Sequence, residues 1–530
     1  MANDNKKVII QKGTFIPTAM ILVIVLLIGL IAPKFFNEST SYLFNVATEG
    51  FGFLFLFIAL LMFFLCIAIA LTPFGKKKLG GEDAEPEYRI FSWCAMAICS
   101  GIATAMVFFA VGEPLTYFHT PPAFTGLQGG TPEAAVRGVM IASFHWSFIY
   151  YGMFTFWGLA VGYMSMNYKL PYRPSSALYP ILKHRIYGWP GKAIDVLSVL
   201  ALIGGIVSSL GFGTTQFASG MDFTFGLTPS NTIYAATILL VTLAYTISSA
   251  RGLKKGMKVI SDINAYIYIA ITVFLIVFGP TVFLSDLFTE AIGSMIVNFV
   301  PTALNADPFN VGQGWSENNT VFFMAWILAY APLIGMFLAK ISKGRTIRAY
   351  LMVNIFVPGI FVFIWFTAFG GNAIYQDFFN NAGIIDVIRE KGFPIANFAL
   401  LDHMPLRMVV IPLIIACLFF SFITLADAMT GTISSMTLEN AVPDEAPRPV
   451  KLFWGILMGA TTLVCLFALG EVGTLAMQCT TIVYAVPIVL ISIPVIVVVI
   501  RMITGRVDRE MEMEPPTAEE RRKMTWRIER

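Results

Sequence analysis

The sequence predicts an all-α protein that crosses a membrane many times. Hydrophobic residues make up 57% of its 530 residues and charged residues only 13%, which is far from the balance of soluble proteins. Apolar runs of about twenty residues recur along the whole chain, and each can cross ~30 Å of hydrocarbon. Because unpaired backbone groups cost several kcal/mol in lipid, these runs must be helical.

Twelve segments have the length and composition of membrane spans. An even number of spans places both chain termini on the same side of the membrane. The predicted spans are 15–33, 51–73, 90–118, 138–164, 193–219, 232–250, 259–283, 320–338, 349–375, 407–436, 452–469 and 476–501.

Basic residues are distributed unevenly between alternate loops. With the N-terminus in the cytoplasm, 30 of the 35 Lys and Arg residues fall on the cytoplasmic side and 5 fall outside. The positive-inside rule therefore predicts that both termini are cytoplasmic. The net charge of +3 reflects this loop asymmetry, and we expect membrane lipids as neighbours and no nucleic-acid partner.

Two spans contain residues that weaken a helix. The third carries the small residues of 100–106, and the eighth carries Pro332 and Gly335. These spans open two consecutive blocks of five, and interrupted helices in corresponding places are typical of inverted-repeat transporters with a site near the midplane. The apolar spacing of 287–300 predicts a further helix along the external interface. We divide the chain into a cytoplasmic tail, two preliminary helices, a first repeat, an external loop, a second repeat and a second cytoplasmic tail: 1–14, 15–89, 90–283, 284–319, 320–501 and 502–530.

Aromatic residues at helical spacing are the strongest indication of function. Trp326 and Tyr330 lie one turn apart in the eighth span, so their rings can form a wall that attracts a cation lacking hydrogen-bond donors. In the fourth span Trp146, Tyr150 and Phe154 share one face, although most membrane aromatics serve packing. The pattern predicts a site for a quaternary ammonium compound.

Other chemistry is sparse. Glu113 and Asp427 are ionisable at membrane depth, which indicates a proton relay or, alternatively, helix capping and backbone pairing in the scaffold. We expect His145 to be a hydrogen-bonded packing residue. The six cysteines have no metal-ligand spacing, and no HExxH or GxSxG motif is present. We therefore expect that the protein binds no metal or cofactor and is not an enzyme.

Several motifs resemble those of the betaine/carnitine/choline transporter family, and they occur in the family's order over roughly residues 15 to 500. The matching segments are Gly112-Glu113-Pro114-Leu115, Phe144-His145-Trp146, Met336-Phe337-Leu338-Ala339-Lys340-Ile341-Ser342-Lys343-Gly344-Arg345-Thr346 and Ala426-Asp427. The resemblance implies two preliminary helices and a core of two inverted five-helix repeats, the LeuT-like fold, often assembled as homotrimers.

The resemblance also implies roles for individual residues. Trp326 and Tyr330 match members of the family's central aromatic box. The aromatics that match the substrate route or outer site are Trp146, Tyr151 and Phe154. Ile102 and Thr104 match the turn, usually rich in glycine, that holds the carboxylate side of the substrate. Because several positions depart from the betaine-specific pattern, carnitine, butyrobetaine, choline and other onium compounds stay open beside glycine betaine.

The source of energy is open as well. Sodium-coupled members use backbone carbonyls and a Thr-Ser pair, and the matching stretch here is Phe422, Ile423 and Thr424 followed by Leu425 instead of serine. Sodium-independent exchangers carry an arginine where this chain has Asn264. The resemblance therefore implies Na⁺ or H⁺ as a coupling ion, or exchange of substrates.

The function expected is secondary transport of a small quaternary ammonium substrate by alternating access, as an exchanger or a cation-coupled symporter. The location expected is a bacterial cytoplasmic membrane. The alternative is a membrane receptor or sensor that binds such a compound without moving it.

Overall fold

The computed structural model describes residues 9–101, 104–251, 254–439, 446–468 and 473–513. Within these ranges the chain is helical, and its β-structure is limited to two isolated bridges. The predicted all-α class is therefore confirmed. Ten helices in the described part are long and apolar enough to cross a membrane, which fits a polytopic membrane protein.

The helices of the first part of the chain run up to residue 303. They are α1 (Lys12–Ile31), α2 (Pro33–Leu71), α3 (Ile90–Gly101), α4 (Thr104–His119), α5 (Pro132–Trp146), α6 (Phe148–Gly162), α7 (Tyr179–Leu182), α8 (Trp189–Phe225), α9 (Asn231–Arg251), α10 (Lys254–Phe278) and α11 (Thr281–Ala303).

The second part begins with a π-helical turn at Glu317–Val321. Its α-helices are α12 (Phe322–Ile341), α13 (Ile347–Asn380), α14 (Ile384–Lys391), α15 (Ala396–Asp402), α16 (Arg407–Met436), α17 (Arg448–Ala468), α18 (Gly473–Ile503) and α19 (Arg506–Met513). Each of the twelve predicted segments overlaps one of these helices or a consecutive pair.

The breaks in the helices differ from those expected. The interruption predicted at Pro332 is wrong, because α12 runs through this proline without a break. The fourth predicted span is instead divided at Ser147, whose φ of −106° and ψ of −113° separate α5 from α6. In the third span α3 ends at Gly101 and α4 begins at Thr104, and the two residues between them lie outside the described ranges.

Helix α12 lies at the centre of the bundle. It packs against α6, α8 and α18, and almost all of its side chains are buried. Its closest approach is to α6, where a Cβ on Gly158 would lie only 2.2 Å from the carbonyl oxygen of Gly335. Small residues of this kind let membrane helices pack backbone to backbone, and here they hold the predicted aromatic pair in the core.

The two ends of the bundle are chemically different. We call the end that carries Lys77, Arg345 and Asp508 the basic end. These residues lie together there, since Leu79 N–H donates to the Arg345 carbonyl at 3.0 Å and Lys77 pairs with Asp508 at 2.5 Å. The opposite end carries the 304–316 loop and the short helices α14 and α15, and we call it the loop end. There His119 lies 3.0 Å from Asp377.

The start of the C-terminal tail is folded onto the basic end. The carboxylate of Asp508 in α19 accepts hydrogen bonds from Lys77 at 2.5 Å, from Tyr163 at 2.9 Å and from Tyr168. Partial burial opposes ionisation of Asp508, but these bonds outweigh it and hold the pKa of the carboxyl below its ordinary value. The sequence gives no sign of this docking, because a mixed-charge tail is typical of a solvated terminus.

Candidate functional site

A small aromatic cavity lies between α12 and the helices around it. Its volume is about 20 Å³, room for about one water molecule. A cargo the size of a quaternary ammonium group therefore fits only if the walls separate. Its lining residues are Ala105, Trp146, Tyr150, Phe154, Ser209, Trp326, Ile327, Tyr330, Ile334 and Leu425.

The predicted pair on α12 forms one wall of this cavity. The rings of Trp326 and Tyr330 have centroids 6.4 Å apart and an interplanar angle of 48°. Both side chains are more than nine-tenths buried. Their faces are therefore in a region from which bulk water is excluded, where contacts with a cation are strongest.

The wall opposite comes from the broken fourth span. Trp146 of α5 meets Trp326 edge to face, with centroids 5.8 Å apart and planes at 83°. Trp146 also stacks on Tyr150 of α6 at 5.8 Å, and Tyr150 packs on Phe154 at 4.7 Å. The structure thus brings together four of the predicted substrate residues, Trp146, Phe154, Trp326 and Tyr330.

Helix α8 fixes the position of Tyr330. The hydroxyl groups of Tyr330 and Ser209 lie 2.8 Å apart. Gly205 lies under the ring, and a Cβ at this position would be 2.7 Å from two of the ring carbons. The absence of a side chain at residue 205 therefore leaves the space that the ring occupies.

The other predicted substrate residues are placed differently. Tyr151 does not line the cavity, and its hydroxyl donates to the carbonyl of Ile98 in α3 at 3.3 Å. Ile102 lies outside the described residues, as does the side chain of Thr104. The roles of these three residues stay predictions.

Sequence reasoning did not assign several lining residues to the site. Tyr150 was recognised on the same helical face as Trp146 and Phe154, because it is four residues from each, but it was not among the predicted substrate residues. Ser209 and Leu425 carry no such pattern, and tertiary packing alone brings them to the site.

The candidate coupling-ion residues lie on α16. The Thr424 hydroxyl donates to carbonyls of its own helix, Phe420 at 3.0 Å and Ser421 at 3.1 Å. Phe422 and Ile423 are buried within the same continuous helix, where carbonyls are engaged in the helical hydrogen bonds. Asn264 of α10 donates to the Ser421 hydroxyl at 2.9 Å. An ion would need oxygen ligands that this arrangement uses internally, and the assignment stays a prediction.

Glu113 belongs to a buried polar network next to the cavity. One carboxylate oxygen, Oε1, lies 2.5 Å from His145 Nδ1 and accepts from the Tyr117 hydroxyl at 3.1 Å. The other, Oε2, accepts from the indole N–H of Trp146 at 3.0 Å. His145 Nε2 lies 3.1 Å from the hydroxyl of Thr320 in the π-helical turn. Asp427, the second predicted ionisable candidate, is half-buried on α16.

The cavity is covered at the loop end, and the ends of α3 and α12 are in contact at the basic end. Phe393, in the turn between α14 and α15, packs on Phe109 at 6.0 Å, and Phe109 in turn contacts Trp146 at 5.5 Å. At the basic end the Trp93 indole N–H donates to the Ser342 hydroxyl at 2.8 Å. The guanidinium of Arg345 lies 4.8 Å above the Trp93 ring, so the ends of α3 and α12 are joined.

Comparison of the sequence with known proteins places this chain among transporters. The sequence profile of the betaine/carnitine/choline family transporters, BCCT, matches residues 13–507. A "Probable glycine betaine transporter" of Desulfitobacterium hafniense (strain Y51) is 33% identical over 479 residues, which are 90% of this chain and 94% of that protein.

Two further relatives are named for other substrates. The "High-affinity choline transport protein" of Escherichia coli (strain K12) is 32% identical over 83% of this chain and 64% of its own length. The "Ectoine/hydroxyectoine transporter" of Virgibacillus pantothenticus is 30% identical over 95% of this chain and 99% of its own length.

Proposed function

Because the chain belongs to the betaine/carnitine/choline family of transporters, we propose that it moves quaternary ammonium compounds across the bacterial cytoplasmic membrane as a secondary active transporter. Membership of this family makes it a membrane transporter and not an enzyme. The aromatic cavity is the proposed substrate site.

The observation that carries this proposal is the chemistry of the cavity wall. None of its ten lining residues, all in the described part of the chain, is charged, and four of them are Trp or Tyr. A methylated ammonium carries a permanent charge and no N–H donor, so it cannot donate a conventional hydrogen bond to an acceptor. Aromatic faces stabilise it through their quadrupole and leave no charge unpaired when the site is empty.

The energies match a transported ligand. A desolvated cation–π contact is worth about 2 kcal/mol, so two faces contribute about 4 kcal/mol and three about 6 kcal/mol. These values correspond to dissociation constants from about millimolar to tens of micromolar. Such a ligand is held selectively and still released within a transport cycle.

The proposed transport cycle is alternating access around this cavity. The Phe393 cover and the Trp93–Ser342–Arg345 contact would open in turn, exposing the site first at the loop end and then at the basic end. We place the basic end and both termini in the cytoplasm, as the Lys and Arg distribution favours. In this arrangement twelve spans cross the membrane, two preliminary helices precede two inverted five-helix repeats, α11 lies along the external interface, and the protein forms a homotrimer.

Glycine betaine, choline and carnitine are the proposed cargo compounds. The names of the relatives support the first two. Carnitine rests on Tyr330, which resembles the carnitine-type branch at this position.

Uptake into proteoliposomes tests the proposal. Purified protein should take up labelled choline, glycine betaine or carnitine, and should exchange it for unlabelled compound inside (counterflow). Trp326→Leu should reduce uptake at least tenfold, because it removes the ring that contacts both Tyr330 and Trp146. Trp365→Leu is the matched control, since Trp365 is equally buried but packs on Tyr268 and Phe369, outside the cavity.

The outcomes separate the two functions that the sequence left open. Uptake by the wild type that Trp326→Leu abolishes and Trp365→Leu retains would support transport through this cavity. Binding without uptake or counterflow would indicate a receptor instead. Near-normal uptake by Trp326→Leu would remove the cavity from the mechanism.

A further inference from the structure

The buried pair of Glu113 and His145 joins three elements that line the aromatic cavity or lead into it. Glu113 lies on α4, His145 on α5, and the Thr320 hydroxyl beside His145 on the π-helical turn that leads into α12. Both ionisable side chains are almost completely buried. We infer that this pair binds the proton whose movement across the membrane drives cargo transport, an inference that rests on the proposed function.

The contacts of the pair suit a proton better than a metal ion. The hydroxyl of Tyr117, the indole N–H of Trp146 and the imidazole of His145 all converge on the Glu113 carboxylate. A sodium ion would need several oxygen ligands in place of these donors. Because Glu113 Oε1 and His145 Nδ1 are in direct contact at 2.5 Å, a proton between them is within reach of both groups.

Protonation of the pair reverses a hydrogen bond to the substrate helix. When the imidazole is neutral and its Nδ1–H donates to Glu113, His145 Nε2 is an acceptor for the Thr320 hydroxyl. When the imidazole is protonated, Nε2 becomes a donor to the same hydroxyl. The segment that leads to Trp326 and Tyr330 therefore faces a different partner in each protonation state.

The same proton acts on the opposite wall of the cavity. Trp146 lines the cavity and donates its indole N–H to Glu113 Oε2 at 3.0 Å. A hydrogen bond to an ionised carboxylate is roughly twice as strong as one to a neutral group. When the added proton lies on Glu113 Oε1 and not on Nδ1, the imidazole keeps its Nε2–H, and the neutral carboxyl holds Trp146 less tightly to α4, at the position where the walls must separate to admit cargo.

A pocket at the loop end lies two aromatic rings away from the pair. It has a volume of about 200 Å³, is lined by Trp315, Ser316 and Asp307, among others, and has room for several waters. The Trp315 ring lies 5.6 Å from the ring of Tyr117, whose hydroxyl is 3.1 Å from Glu113. In the inferred cycle, a proton from external water reaches the pair when these rings separate and leaves when the basic end opens. The cargo itself is not chemically altered during this cycle.

Few other titratable groups face the pair within the described part of the chain. Tyr117 contacts it from α4, and Glu317 lies on the π-helical turn three residues before Thr320, with one oxygen buried and unpartnered. The side chains that reach this cluster from α11 and α13 are aromatic, Phe299 against Phe144 and Phe366 against Trp146. The Glu113–His145 pair is therefore the site where a proton changes the contacts of the cavity walls.

A pH gradient in proteoliposomes tests the inference. With the membrane potential clamped at zero by valinomycin and equal K⁺, an interior one pH unit more alkaline should drive about tenfold accumulation of labelled choline at one proton per choline. Glu113→Gln keeps an oxygen acceptor for Trp146 but removes the ionisable group, so accumulation should fall to about onefold. His145→Gln should do the same.

A second histidine–carboxylate pair provides the control. His119 and Asp377 lie 3.0 Å apart at the loop end, away from the cavity, and His119 is partly exposed. Asp377→Asn should still accumulate choline about tenfold. Equal loss in this variant and in Glu113→Gln would overturn the assignment.

Further outcomes decide between the two proposals. A wild type without counterflow defeats the proposed function, whereas counterflow without gradient-driven accumulation defeats the proton inference alone. If a variant shows no counterflow, its role in proton binding is tested by measuring proton uptake when choline binds to the protein in detergent. This measurement does not require the transporter to turn over. The wild type should take up about one proton and the variants none, and equal uptake by wild type and variants would refute the role of the pair.

Discussion

Replacing Gly205 with alanine tests whether the position of Tyr330 determines affinity. The new Cβ would lie 2.7 Å from the Tyr330 ring, whereas ordinary contact begins at 3.4 Å. The ring would therefore have to move by about 0.7 Å, the difference between these distances. Because α8 lies behind it, the ring moves into a cavity of about 20 Å³ and draws away from the Ser209 hydroxyl.

The expected loss follows from the contact that is displaced. One desolvated cation–π contact is worth about 2 kcal/mol, and 1.36 kcal/mol corresponds to a factor of ten. We therefore expect Gly205→Ala to weaken choline binding by about 10- to 30-fold. Quenching of intrinsic tryptophan fluorescence by choline measures this affinity, and a thermal melt reports the stability of the same sample.

The neighbouring glycine separates an effect on the site from general overpacking. A Cβ on Gly204 would lie 2.5 Å from the ring of Tyr484 on α18, which does not line the cavity. Overpacking of this kind costs typically 1–3 kcal/mol of stability, so both variants should melt at lower temperature. Affinity within twofold of wild type for Gly205→Ala, or an equal loss for Gly204→Ala, would refute the reasoning.

Three further changes are expected to have separable effects. Leu425→Ser places a hydroxyl beside Thr424 and should increase the dependence of choline uptake on sodium; an unchanged response across a sodium titration would contradict this. Phe393→Ala removes the cover over Phe109, so a cysteine-reactive probe at a cysteine engineered at Phe109 should react at least several-fold faster from the loop end, and an unchanged rate would count against a gate there. Asp508→Asn should release α19, seen as faster amide exchange in this helix. Since the pKa of Asp508 is depressed, its contribution to docking is complete above its unfolded value of about 4 and is lost as pH falls below that; docking that weakens between pH 8 and 5 would contradict the assignment.

The sequence was informative where a local pattern carries the structure. Composition and run length were sufficient for the helices, and the four-residue spacing of Trp326 and Tyr330 placed both rings on one face. The same spacing, continued from Trp146, selects Tyr150, whereas the resemblance to a family pointed to Tyr151. The helical period was the better guide to the cavity at this position.

Other features depend on contacts between distant segments. Glu113 and His145 are 32 residues apart, and nothing in either local sequence shows that they meet. The break at Ser147 contains neither glycine nor proline, so helix propensity gives no warning of it. At Pro332 the error was the opposite: a break was predicted, but α12 is continuous. Neighbouring helices in a packed bundle can accommodate such a residue without unwinding.

The contact between Trp93 and Arg345 has a consequence for unloading. Trp93 of α3 lies against the end of the cavity helix α12, and its face is occupied by the protein's own guanidinium at 4.8 Å. In the proposed transport cycle, an onium ion that leaves through the basic end would meet a tryptophan face that already holds a cation. This ring would therefore not become a second binding site on the exit route.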